Sequence, residues 1–96
     1  MSYITINVKI MPPFTPDMKS HELLVEISSS ATILDVIKEL STKSGIALEK
    51  ILDYSEDGIR LRDNVVVLVD GVIVDDLKNR VEGVKKIVLM PLAPGG

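Results

Sequence analysis

Few residues of this chain have the types and spacing to do chemistry. There is no cysteine, which excludes disulfides, thiolate metal ligands, a Cys nucleophile and a persulfide carried by the chain itself. His21 is the single histidine. It stands in a polar stretch without converging partners, so solvent exposure is expected, and no metal site is expected anywhere in the chain. The carboxylate pairs Glu56-Asp57 and Asp75-Asp76 fall in predicted turns, where adjacent acids serve as solvated turn formers. Lys85-Lys86 could meet an acidic partner or a phosphate, or guard the edge of a strand against aggregation. There remain the last two residues, Gly95-Gly96. With glycine near 7% of average composition, two terminal glycines arise by chance in roughly 0.5% of chains.

A backbone without side chains can thread a narrow, water-poor site that any other residue would obstruct. Gly95 and Gly96 meet that requirement, and Gly96 carries the terminal carboxylate. Upstream lie Pro91, Leu92, Ala93 and Pro94. The two prolines fix φ near −65° and remove N–H donors, which is expected to stop the segment from continuing a strand. The sequence thus divides into a folded domain, residues 1–90, and a flexible tail, residues 91–96. The six tail residues extend at most about 20 Å, enough to enter a partner's active site. The plain alternative is a frayed end with no task.

The elements that must hold this tail follow from composition and pattern. Ninety-six residues make one domain with one modest core. Hydrophobic residues are 46% of the chain, yet Tyr3, Phe14 and Tyr54 are the only aromatics, so the core is aliphatic and suited to a sheet. A net charge of −3, without a basic stripe, does not fit nucleic-acid binding. The first residues lack a charged and then apolar leader, and no apolar run approaches the roughly 20 residues that span a bilayer. A cytoplasmic protein without membrane contact is expected.

Ile4, Ile6, Val8 and Ile10 alternate with polar residues and predict a strand over 3–11, ended by Pro12, Pro13 and Pro16. Leu23, Val25 and Ile27 predict its hairpin partner. Thr32 with Asp35 forms a capping-box start. Ile33, Val36, Ile37 and Leu40 then give one apolar helical stripe, and Gly45 the stop. Residues 47–53 suggest a second helical turn carrying Leu48, Ile51 and Leu52, followed by a loop or turn at Glu56-Asp57-Gly58. Val65 to Val69, Asp70-Gly71 and Val72 to Val74 predict a tight hairpin. Residues 75–81 predict a turn or short 3₁₀ piece and Glu82-Gly83 a further turn. Lys86 to Met90 predicts a last strand apolar on both faces, hence central. The expected class is α+β, a ubiquitin-like β-grasp with a mixed sheet of about five strands and one main helix.

On the helix entry Ala31-Thr32-Ile33 with Leu40, the hairpin Val67-Leu68-Val69-Asp70-Gly71, and the run Pro91-Leu92-Ala93-Pro94-Gly95-Gly96, the chain resembles the MoaD/ThiS family of ubiquitin-like sulfur carriers. That family includes the small subunit of molybdopterin synthase, and the likeness covers nearly the whole chain. Glu82-Gly83-Val84 stands where the family usually has Asp-Gly-Asp, and Pro94 where the molybdopterin subunit has a small residue. The resemblance implies a carrier or co-substrate rather than an enzyme, with no cofactor of its own. A partner resembling ubiquitin-activating enzymes would use ATP and Mg to adenylate Gly96, with Ala93, Pro94 and Gly95 in its channel. The resulting thiocarboxylate would donate sulfur in molybdopterin synthesis or a related pathway, with a molybdopterin synthase large subunit as a further partner. Two other readings stand beside it: a ubiquitin-like modifier joined through Gly96 to target lysines, and a β-grasp interaction module with an idle tail.

One helix cannot cover both faces of such a sheet. An apolar face left open is a partner site, and the family pattern places Ile73 and Met90 on it near the tail, where a core role is as open as an interface role.

Overall fold

The computed structural model describes residues 2–92. Seven strands and one α-helix follow in the order β1 (Tyr3–Ile10), β2 (His21–Ser28), α1 (Ile33–Ser44), a 3₁₀ turn (Leu48–Lys50), β3 (Leu52–Ser55), β4 (Gly58–Leu61), β5 (Val65–Val69), β6 (Val72–Val74) and β7 (Lys86–Pro91). Five of the strands form one sheet in the order β2-β1-β7-β5-β6. The last strand lies in its middle, parallel to β1 and antiparallel to β5. The expected mixed sheet with a central β7 is met.

Burial explains this arrangement. Ile6, Val8 and Ile10 of β1, Val25 of β2, Val67 of β5 and Ile87 and Leu89 of β7 share one face and are fully buried. Against them α1 lays Ile33, Val36, Ile37 and Leu40. Its N-terminus is closed as the sequence predicts. The Asp35 N–H donates to Thr32 Oγ1 at 3.3 Å and the Thr32 N–H to Asp35 Oδ2 at 2.9 Å. The two preceding free donors are also taken, Ile33 N–H by Asn79 O and Leu34 N–H by Leu77 O, so the 75–81 segment completes the helix cap. At the other end Gly45, at φ 71°, donates its N–H to Ser41 O, a left-handed cap that favours glycine.

Three regions differ from the sequence expectation. The helical turn expected over 47–53 is a 3₁₀ turn of three residues, after which Leu52 opens a strand. Leu48, Ile51 and Leu52 have helical spacing, but Ile51 O accepts the Arg62 N–H at 2.9 Å and Leu52 pairs with Leu61. Glu56-Asp57 is the expected turn, but it is the tip of a two-stranded β3–β4 hairpin whose strands were not expected. The segment after β1 also does more than end a strand: Phe14 and Thr15 are buried, and Thr15 Oγ1 donates to Lys19 O at 2.6 Å. Finally, His21 belongs to β2, opposite Ile10, and not to the preceding loop.

Candidate functional site

The candidate site has two parts, the tail and the sheet face that α1 leaves open. Ala93, Pro94, Gly95 and Gly96 lie outside the described residues. The base of the tail is described. Pairing of β7 with β5 runs through Pro91, opposite Val65, and the Leu92 N–H donates to Asn64 O at 2.9 Å. The expectation that Pro91 keeps the chain from continuing the strand is corrected, since β7 includes Pro91. Backbone groups of successive strand residues point to alternate sides. Lys85 O and Leu89 O bond to the β1 side, whereas Lys86 O and the Leu92 N–H bond to the β5 side. The donor that Pro91 lacks therefore falls on the β1 side, where the register with β7 has already ended at Ile10 and Leu89. A proline there removes no ladder bond.

Register also fixes the open face. Val66 lies opposite Met90, Leu68 opposite Val88 and Leu68 opposite Ile73, all pointing away from α1. Ile73 is 70% exposed; Met90, Val88, Val66 and Leu68 are half-buried. Both expected surface residues thus sit on one face, with Met90 one residue before the strand's last and Ile73 across β5 from Val88. Ile73 is no core residue. Val66, Leu68 and Val88 complete the patch and were not singled out from sequence, although the apolar residues at both parities of β5 and β7 carried the signal. Beyond β7 the face turns mostly polar through Asn7, Lys9, Glu22 and Glu26, with Leu24 exposed among them. Asn7 marks the border, with Oδ1 buried and without a hydrogen-bond partner.

Asp70 sets this register. Asp70 and Gly71 both have positive φ, 49° and 87°, the geometry a two-residue hairpin turn requires. The Asp70 carboxylate accepts the Lys86 N–H at 2.9 Å and the Lys85 N–H at 3.1 Å, and the Asp70 N–H returns a bond to Lys86 O at 2.9 Å. These contacts tie the hairpin tip to the first residue of β7 and hold Val88 and Met90 outward. Lys86 accordingly begins a central strand, and is no guard of a sheet edge.

The other titratable candidates lie elsewhere. His21 Nε2 meets Asp17 Oδ1 at 2.8 Å, both side chains about half-exposed. The hydrogen bond with His21, then that from the Lys19 N–H, hold the Asp17 carboxyl below its usual 3.8. Asp76 accepts the Lys78 N–H at 2.9 Å, a turn-forming contact as expected. A cavity of about 350 Å³ borders the open face between Arg60, Arg62, Val66, Ile73 and Asp75. Among the described residues no helix is long and apolar enough to cross a membrane.

No protein-family model matches the chain, and no curated protein matches it significantly. Solved structures do. SAMP1 from Haloferax volcanii superposes with a TM-score of 0.72 at 19% identity, over 97% of this chain and 100% of that one. This chain has a β-grasp fold. The HVO 2177 protein of the same organism superposes on the β-grasp with a TM-score of 0.68 at 20% identity, over 98% of this chain and 88% of the other. At such identities the likeness concerns the ubiquitin-like fold alone.

Proposed function

We propose that this β-grasp protein is a sulfur carrier and not an enzyme, with Gly96 as the residue that bears sulfur. The observation that supports it is the placement of the tail's base: β7 delivers Pro91 and Leu92 at the margin of an apolar sheet face that no element among the described residues covers. A carboxylate is a poor acyl donor. In the proposed sequence a ubiquitin-activating-like partner docks on that face and takes Ala93, Pro94 and Gly95 into a channel. With ATP and Mg it joins the Gly96 carboxylate to AMP, releasing pyrophosphate. Hydrosulfide then attacks the carbonyl, the C–O bond to AMP breaks, and a thiocarboxylate remains. Molybdopterin synthesis, with a synthase large subunit as acceptor partner, is the pathway this reading favours.

A second reading shares the adenylate and differs in the nucleophile: a target lysine attacks, and an isopeptide forms. Intact mass of the protein isolated from its native cells tests both. Sulfur in place of one carboxylate oxygen supports the carrier, and high-mass conjugates that leave a Gly-Gly remnant on lysine support the modifier. The free acid alone, together with unimpaired growth of cells lacking the Gly96 codon, overturns both.

A further inference from the structure

The sheet has an unused edge, separated from β7 by β1. β2 is the outermost strand, eight residues long, and among the described residues it pairs with β1 alone. Every second residue of such a strand turns its N–H and C=O away from the sheet, a template for one more strand. Of these groups, Ser28 O is taken by the Ala31 N–H. β6 is the opposite edge but has three residues only.

Three features of β2 say what would fit. On the open side of the sheet its side chains run Glu22, Leu24, Glu26, an exposed leucine (65%) between two exposed carboxylates. On the α1 side the strand borders two cavities, one of about 480 Å³ beside Ile27, Ala31 and Thr42 and one of about 320 Å³ beside Leu23 and Ser44. A groove therefore accompanies the strand at both ends. Self-pairing is disfavoured, because two antiparallel copies centred on Leu24 would set Glu22 against Glu26 of the second copy, and like charges directly opposite are destabilising. A strand with cations at i and i+4 and an apolar residue at i+2 reverses that sign at both positions.

We infer that the free edge of β2 binds an extended segment of a partner protein with the pattern basic–x–apolar–x–basic, by strand addition. The pair Glu22 and Glu26 selects the cations, Leu24 meets the apolar residue, and the intervening side chain opposite Leu23 faces the cavity beside Leu23 and Ser44. This mode of recognition takes affinity from main-chain hydrogen bonds and selectivity from alternate side chains. It does not involve Gly96.

The test is a titration of isotope-labelled full-length protein with an acetylated, amidated peptide centred on Lys-Val-Leu-Val-Lys, followed by amide NMR. Expected are saturable shifts over residues 21–28 and slowed exchange of β2 amides, with at least about tenfold weaker binding of the Glu-Val-Leu-Val-Glu counterpart. Joint Glu22→Lys and Glu26→Lys replacement, at exposed positions that leave the core intact, should invert that preference. Deletion of Gly96 should leave the titration unchanged, which separates this site from the carrier reading. Absence of saturable shifts up to about 1 mM peptide, equal binding of both peptides, or shifts confined to Val66, Ile73 and Met90 would overturn the inference.

Discussion

β7 presents the same kind of side chain to two environments. Ile87 and Leu89 point toward α1 and are 0% exposed, whereas Val88 and Met90, alternating with them, stay partly open to solvent. In an ordinary two-layer fold the outward residues of a strand are polar, since burial of apolar area, at about 25 cal/mol per Å², is the reason for an apolar side chain. β1 follows that rule, with Thr5, Asn7 and Lys9 on its outer face. β5, β6 and β7 do not. The difference teaches that apolar side chains stay open to solvent on the half of the outer face formed by β5, β6 and β7, as the proposed docking surface requires, while on the half formed by β1 and β2 polar and charged residues surround the exposed Leu24.

The comparison can be broken by mutation. Leu89→Ala should cost about 2–5 kcal/mol, the usual loss for a buried leucine, read as a lower urea midpoint. Thr32→Ala removes the helix cap and should cost about 1 kcal/mol; it gauges how much the covered face depends on a correctly started α1. Ile73→Ser on the open face should change stability by no more than about 0.5 kcal/mol. If Ile73→Ser destabilised the protein as much as Leu89→Ala, the two faces would not differ and the proposed docking surface would be core.

A smaller effect concerns the rim of β2. Asp17 is held below its usual 3.8 by His21 and the Lys19 N–H, so any stabilisation from the depressed carboxyl is fully present above 3.8 and is lost as pH falls through the folded-state value. The group is solvent-exposed, and the contribution to stability is correspondingly slight. Carbon-detected NMR titration of His21→Ala should move the Asp17 midpoint upward; a midpoint unchanged from the parent would show that His21 does not hold it.

Much of this architecture is legible in the residues, for identifiable reasons. Thr32, Asp35 and Gly45 mark both ends of α1, Asp70-Gly71 marks the β5–β6 hairpin, and the strict alternation of Ile4, Ile6, Val8 and Ile10 marks β1. The β3–β4 hairpin is not legible, because strands of four residues give too short an alternation and Leu48, Ile51 and Leu52 imitate a helical stripe. Burial of Phe14 is equally hidden, since a lone aromatic among prolines carries no period. At the site, the open apolar face follows from the expectation of one helix on a two-sided sheet, whereas Ile73 and Met90 are placed on it by the family resemblance. Pro91 misleads, because whether a proline ends a strand depends on which neighbour its missing donor would face, and that is a property of register.

The central claim is that the open face presents the tail to an activating enzyme, and ATP–pyrophosphate exchange by the activating enzyme from the same cells tests it most directly. Ile73→Asp should raise the concentration of carrier needed for half-maximal exchange by at least about tenfold, or 1.4 kcal/mol, with the thermal midpoint unchanged, and deletion of Gly96 should abolish exchange. Exchange by Ile73→Asp indistinguishable from that of the parent protein would contradict the role of the face, and exchange that survives loss of Gly96 would contradict the role of the tail.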